Sequence, residues 1–553
     1  MFDGQTAVMP APPPPARFTN RASLRLQAGI ALALFLAVLI TRLPTFFRSV
    51  LDWDESLYFL MAEQWRAGHL PYTAIWDNKP IGIYGLFAVF QSWFGDNVIS
   101  IRIACVLFIT ATAFAIFKIA LKIPLNIPGG PSNRLPGALL ASIAYVICSL
   151  SNDGLSANTE IFMSCFTVLA VLGALSGRAF TTGVLFGMAF MVKYVAVFEF
   201  PALAFALILL GHQPGVRLDG RHAARSGLAL LTGAALPLGL TILLYAVSGN
   251  IHAWLEDSVL SNFRRVGVPV SSSGLTYAFD IELLRWSPLY LVSLAMLGMA
   301  ARQLWRGIAR KSLYPATRFN LFLALWLAGG CIGVASAKSF YDHYFLQILP
   351  VMCVTLAWLA LNLAFTRNLP RLAMLALGTA VLALPILAAA TALSQAATPV
   401  ITLANGHVAL RRDTPARIAS EIRPLLANPV QPGQLFVFDY QPIIYSLDGQ
   451  IPPTRFLLPS VLTTCQLARV ARAPALHEIT RILGTNPAFI IRSRYPYKDP
   501  ATVNLRVYAA VDRTLAARYQ LWRVYKDAIV YRLRTPNAPV SQSYDALPAC
   551  PAP

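Results

Sequence analysis

Apolar residues recur along this chain in blocks of about 16 to 24, separated by short polar connections. The blocks lie at about 26 to 43, 98 to 117, 135 to 150, 159 to 176, 179 to 194, 196 to 210, 226 to 248, 284 to 301, 319 to 336, 345 to 364 and 371 to 391. A helix needs ~20 residues to cross ~30 Å of hydrocarbon. The pattern therefore predicts a polytopic α-helical membrane protein with about 11 transmembrane helices. The first block has no small-residue cleavage pattern before Pro44 and the bulky Phe46 and Phe47, so it reads as an uncleaved span. Ile81 to Phe94 is also apolar, but a crossing there would reverse every later loop. It is expected to lie along the membrane surface.

From residue 393 the long apolar runs stop. Short β-like runs at Leu435–Phe438 and Phe489–Ile491 alternate with helical periodicity at 416 to 427, 466 to 483 and 503 to 517, and 519 to 534 reads as a closing hairpin. The expected organisation is a disordered basic arm at 1–25, a membrane body at 26–392 with long loops at 45–97 and 249–283, and a soluble α/β domain at 393–553.

Charge orients these pieces. The chain is 56% hydrophobic and only 13% charged, yet carries a net charge of +20. The basic residues are dispersed and form no single stripe, which argues against nucleic acid as a partner. With the N-terminus inside, the inner loops gather 17 Lys and Arg against two acids, Asp3 and Asp219. The outer loops and span ends hold 14 acids and 10 basic residues. That asymmetry follows the positive-inside bias and places both long loops and the tail outside. Five of the seven cysteines lie in spans. Cys465 and Cys550 lie in the exported tail, where a disulfide is chemically permitted.

The first outer loop carries the chemistry. It reads Leu51-Asp52-Trp53-Asp54-Glu55-Ser56-Leu57-Tyr58, then Gly68-His69-Leu70-Pro71-Tyr72, then Trp76-Asp77-Asn78-Lys79-Pro80. Acids, aromatics and one lysine concentrate next to the membrane exit. This ordered string resembles the first loop of GT-C glycosyltransferases, most of all the bacterial branch of aminoarabinose, lipopolysaccharide-core and protein O-mannosyl transferases. The chain has Lys79-Pro80-Ile81 where the aminoarabinose transferases have Lys-Pro-Pro, so that sugar is not implied. The resemblance implies an inverting transferase in the bacterial inner membrane, with a periplasmic C-terminal domain and a sugar donor on polyprenyl phosphate.

Elementary chemistry is consistent with that implication. Phosphate is a good leaving group, so one base for the acceptor hydroxyl can suffice, unlike the facing carboxylates of glycosidases. Asp54 and Glu55 are neighbours that point in different directions, which suits one base with an orienting partner. Asp54 is the expected general base and Glu55 the alternative. Cations should stabilise the departing phosphate. Lys79 is the first candidate, and the resemblance adds Lys338, His343 and Tyr344 of a short outer turn, although His343 and Tyr344 also suit an interfacial belt. Tyr58, Trp76 and Asp77 are candidate substrate contacts. Arg264 and Arg265, with Trp254, Glu256 and Asp257, are candidates to shape an acceptor site. Lys193 and Glu199, near one helical turn, are expected to pair with each other or to snorkel, without a catalytic role.

Neither a Gly-x-x-x-x-Gly-Lys-Ser/Thr loop nor a Cys-x-x-Cys or His-Glu-x-x-His motif is present, and no metal or cofactor is expected. The partners implied are the lipid-linked donor, membrane lipids and an envelope acceptor. The tail carries 18 basic residues against 9 acids, which favours an anionic acceptor. The rival reading is a flippase for lipid-linked sugars, but a carrier should line a path through its spans with polar residues.

Overall fold

A computed structural model of the protein describes residues 19–124, 134–211, 220–266, 276, 283–309, 314–336, 338–367, 371–404, 407–426, 433–495, 502–541, 543–544 and 547–550. Each apolar block lies on a helix, with 196 to 210 divided into a 3-10 turn, Tyr194–Glu199, and the helix Phe200–Leu209. Among the described residues five segments, Leu24–Phe47, Val98–Ala120, Gly220–Val247, Pro315–Ser336 and Gly378–Ala397, are long and apolar enough to cross a membrane. The chain is thus a multi-pass membrane protein. On Gly220–Val247 the residues Leu228, Leu231, Leu240, Leu243 and Val247 are exposed, an apolar outer face suited to lipid. The first helix already begins at Thr19. This corrects the expected disordered arm over 19–25, while 1–18 lie outside the described residues. At the other end of the body the last helix continues to Ala397.

Close helix approach depends on small residues. A Cβ at Gly183 would collide with the Leu230 carbonyl, and one at Gly233 with the Phe180 carbonyl. Ala179–Val192 therefore lies backbone to backbone on Gly220–Val247. Gly82 plays the same part where it opens the helix Gly82–Phe94 against the Met191 carbonyl. Thirteen residues are too few to span the bilayer. This helix follows directly on Lys79-Pro80, so its anchorage fixes where that lysine starts.

The tail folds as a mixed α/β unit. A hairpin of β1 (Ile401–Ala404) and β2 (His407–Leu410) precedes a four-stranded sheet. Its strands β3 (Leu435–Phe438), β4 (Phe489–Ser493), β5 (Tyr519–Val524) and β6 (Ala528–Leu533) are ordered β3-β4-β6-β5. β3 and β4 are parallel, and β6 is antiparallel to both β4 and β5. Side chains alternate across the sheet. Phe436, Phe438 and Ile490 meet Ile479, Ile482, Val507 and Val511 of the covering helices, whereas Leu435, Phe489 and Ile491 belong to the cluster shared with the membrane body. Cys465 and Cys550 form a disulfide. Periodicity over 466 to 483 suggested one helix, but the chain breaks at Arg472, which has positive φ, and Pro474, giving Cys465–Val470 and Ala475–Gly484. The β1–β2 hairpin had no counterpart in the pattern.

Many polar contacts tie this unit to the first loop. Ser49 donates its backbone N–H and hydroxyl to Asp413, at 2.8 and 2.7 Å. Ser446 donates to Glu63 at 2.6 Å. Arg455 donates to the Tyr72 carbonyl at 2.8 Å and pairs with Asp257, while the Trp76 N–H donates to the Arg455 carbonyl at 2.9 Å. The loop that was expected to carry chemistry is therefore held between the helices and the sheet.

Candidate active site

Asp52 occupies the N-cap of the helix Trp53–Arg66, with Asp54 and Glu55 in its first turn. Their neighbouring positions diverge by about a quarter turn. Glu55 is 0% exposed. Both its oxygens meet Arg102, at 2.7 and 2.5 Å, and Oε2 also accepts from the Ala157 N–H at 2.8 Å. Arg102 donates further to the Thr45 carbonyl at 3.1 Å. Arg42 beside it donates to the Gly154 and Ser149 carbonyls, each at 2.7 Å. Glu55 thus joins the end of the first helix, the start of the next span and the loop 149–158. It does not line the cavity, which corrects its expected place as the alternative base: a carboxylate fully engaged by a guanidinium cannot reach a substrate.

Asp54 instead faces a cavity of about 460 Å³. Tyr58, one turn on, donates its hydroxyl to Asp54 at 3.1 Å, and the Lys79 ammonium lies 3.2 Å from the same carboxylate. Lys79 also lies 3.4 Å from Asp77 Oδ1. Asp77 is buried, accepting from the Tyr84 hydroxyl at 2.8 Å and the Asn78 N–H at 2.7 Å. It orients the lysine from behind and is not itself in the lining. The Lys79 carbonyl accepts from Tyr72 at 2.6 Å, and Tyr72 holds positive φ. Gly-x-x-Pro-Tyr is in this way a device for presenting the lysine. Tyr58 is likewise buried behind Asp54, whereas Trp76 lines the cavity.

The opposite cationic side comes from Arg265, which lines the cavity and donates to the Ser339 and Tyr344 hydroxyls at 3.2 and 3.3 Å. His343 and Tyr344 line it as well. His343 is buried, and its Nδ1 finds no partner among the described residues. Two other candidates are placed elsewhere. Arg264 donates to the Val470 carbonyl at 2.9 Å and to Glu256 at 2.9 Å, bridging the loop to the tail. Lys338 donates to the Val266 carbonyl. Both ammonium and guanidinium take nearby oxygens outside the cavity, so neither lines it. Lys193 pairs with Glu160, with its ammonium 4.0 Å from the Tyr344 ring centre. Glu199 accepts instead from the Trp326 indole at 2.8 Å. The expected Lys193–Glu199 pair is corrected: the two groups face different helices.

Several lining residues carried no earlier signal. Asp153, Tyr341 and Asp342 come from two other loops, and Leu458, Ser460, Thr464, Gln466, Leu467 and Thr502 come from the tail. Asp52 and Trp53 lay inside the first-loop string without being singled out. Among the described residues no group of three or more His, Cys, Asp or Glu is placed to hold a metal ion.

Electrostatics separate Asp52 from Asp54. Burial opposes the charge on Asp54, but Lys79, with His343 and the Tyr58 hydroxyl, outweighs it and holds the carboxyl down to about 2. Asp52 is pushed up to about 8, first by burial and then by the charges of Asp54 and Asp153. Burial opposes the Lys79 charge, yet Asp54 and Asp77 raise its pKa above the ordinary lysine value. The site thus holds one carboxylate kept ionised by its lysine, one that binds its proton more tightly than an ordinary aspartate, and a lysine held between carboxylates. Such an arrangement can bind an anion at Lys79 and Arg265 and move a proton at Asp54.

No protein-family model matches the chain, and no curated protein matches it in sequence. Solved structures do. The structure of ArnT from Cupriavidus metallidurans bound to undecaprenyl phosphate is similar over 92% of this chain and 98% of that one, with TM-score 0.57 and 12% identity. The apo state of the same protein matches over 93% and 98%, with TM-score 0.54 and 12% identity. The chain therefore has the GT-C fold that the first-loop string resembles.

Proposed function

We propose that this chain is an inverting glycosyltransferase that takes a sugar from a polyprenyl-phosphate carrier and places it on an envelope acceptor. The reading puts the reaction at the periplasmic face of a bacterial inner membrane, with 393–553 as the exported domain. The observation that carries it is the Asp54–Lys79 pair, 3.2 Å apart on the wall of the cavity. The likeness of fold to a protein solved with undecaprenyl phosphate supports the choice of donor.

The chemistry follows from the pair. A carboxylate whose pKa is about 2 is a weak base, because a useful base has a pKa near the working pH. The donor phosphate competes for Lys79 and, with Arg265, offers it a stronger anion. Asp54 then loses the partner that lowered its pKa, and its basicity rises when donor is in place. It accepts the proton of the acceptor hydroxyl. The acceptor oxygen bonds to the anomeric carbon as the carbon–phosphate oxygen bond breaks, and polyprenyl phosphate leaves with the electron pair. Lys79 and Arg265 stabilise that charge in a partly desolvated place. Asp77 and Tyr72 hold the lysine in position, and Glu55 holds the helix that carries the base.

Purified chain with a labelled polyprenyl-phosphate hexose tests this directly. Free polyprenyl phosphate and labelled acceptor are expected. Movement of intact donor between leaflets, with no release of free lipid phosphate, would replace the transferase by a carrier.

A further inference from the structure

We propose that the wall added to the cavity by the tail is a subsite for an uncharged polyhydroxylated ring, a neutral sugar, contacted by Gln466, Ser460 and Trp76. The inference rests on the transferase reading and names the chemistry that one side of its site recognises.

The lining is divided by charge. Its ionisable groups, Asp52, Asp54, Lys79, Asp153, Arg265 and Asp342 among them, all come from the membrane body and its loops. Among the described residues, those of the tail that line the cavity, from Leu458 to Thr502, include no ionisable side chain. This is notable in a segment with 18 basic residues. Arginines close to that wall are used elsewhere: Arg455 pairs with Asp257, and Arg472 lies 3.1 Å from Glu256. Among the described residues, then, no positive charge of the tail faces the cavity at this wall.

What the wall offers is neutral hydrogen bonding. The Thr464 hydroxyl is engaged locally, donating to the Ser460 carbonyl at 2.7 Å and accepting from the Leu467 N–H at 3.3 Å. Gln466 and Ser460 line the same wall. Between them they present both donors and acceptors, which is what ring hydroxyls require. Trp76 supplies a second, independent observation. It is 1% exposed and packed on Val461, Val470 and Ala471, yet it lines the cavity and its indole Nε1–H has no acceptor among the described residues. A buried donor is rarely left unmatched.

The test uses the full chain in nanodiscs and measures binding, so it does not depend on turnover. Three probes are compared: undecaprenyl phosphate carrying a neutral hexose, bare undecaprenyl phosphate, and a short alkyl glucoside added after the bare lipid is bound. Gln466→Leu is expected to weaken one ring-bearing probe about 10-fold, the loss of one or two neutral hydrogen bonds, and to leave the bare lipid unchanged. Trp76→Phe, which keeps an aromatic ring and removes only the donor, should act in the same direction. Weakening of the hexose-loaded lipid assigns the ring to the donor, and weakening of the glucoside assigns it to the acceptor. Unchanged binding of both ring probes, or an equal loss for the bare lipid, overturns the subsite. If wild-type protein fails to bind bare undecaprenyl phosphate at all, the transferase reading fails, whatever the wall recognises.

Discussion

Asp54 and Glu55 share a helical turn and each meets a cation, but they belong to regions built for different ends. Around Glu55 everything is closed. Arg102 covers both carboxylate oxygens, Arg42 and Thr45 complete the lattice of hydrogen bonds, and the pair is almost wholly enclosed. Around Asp54 the pair is open on one side: Lys79 and Asp54 keep 14% and 19% side-chain exposure, toward a cavity that also holds Arg265. A guanidinium forks onto a carboxylate and fixes its plane, whereas an ammonium is a point charge that can change partners. The difference teaches how one adjacent acid pair divides its labour. The arginine-bound acid fixes the helix, and the lysine-bound acid remains available to a substrate.

Substitutions that exchange these fates are the sharpest tests. Asp54→Asn should insert and fold normally yet lose ~10²–10⁴-fold in transfer rate, the usual contribution of a general base; near-normal turnover would remove Asp54 from that role. Glu55→Gln should do the opposite, lowering stability in a detergent unfolding assay by ~3–5 kcal/mol because Arg102 is left buried and uncompensated. A stable Glu55→Gln protein that transfers no sugar would reverse the assignment of the two acids. Lys79→Ala should weaken donor binding ~10–100-fold as charge-assisted bonds to phosphate are lost, and should cost less stability than Glu55→Gln because its pair with Asp54 is partly open.

Titration sharpens the comparison within the same turn. Asp54 has a folded pKa of about 2, below the ordinary ~3.9 of an aspartate. Its stabilising contribution is present above ~4 and is lost as pH falls toward 2. Asp52 has a folded pKa of about 8, so the folded state retains a proton that the unfolded chain releases. Stability from this group is greatest below ~4 and declines as pH rises to 8. Thermal unfolding of Asp52→Asn between pH 4 and 8 should therefore show a shallower decline than the wild type, and identical slopes would place the effect on another group. The smallest change belongs to Arg472→Ala. Its ion pair with Glu256 is exposed on the arginine side, and such pairs contribute ~0–1 kcal/mol.

Much of the site was legible where its signal is local. The string around Asp54, Tyr58, Trp76 and Lys79 lies within one loop, and its aromatic and charged composition stands out against apolar helices on either side. Arg265 was reachable as a polar residue in a long loop, and Tyr344 only through the family resemblance. Arg264 and Lys338 have the same composition and location, and only their approach to the Val470 and Val266 carbonyls takes them out of the cavity. Lys193 illustrates the same point: Glu199 is close in sequence, but Glu160 is the acid that meets it. Ser460, Gln466 and Thr502 could not be found at all. Isolated small polar residues carry no pattern, and about 400 residues separate them from Asp54.

The sequence by itself determined where the helices run, that the tail forms strands and helices of its own, and which loop concentrates acids beside a lysine. Those features follow from properties that add along the chain: the apolar length needed to cross hydrocarbon and the period of burial. Only the tertiary structure decided which acid is locked and which faces the cavity, and which residues of the tail reach its wall. A side chain's partner is set by its direction, which turns about 100° from one helical residue to the next, and by what the rest of the fold brings within about 3 Å of it. Neither quantity is additive along the chain.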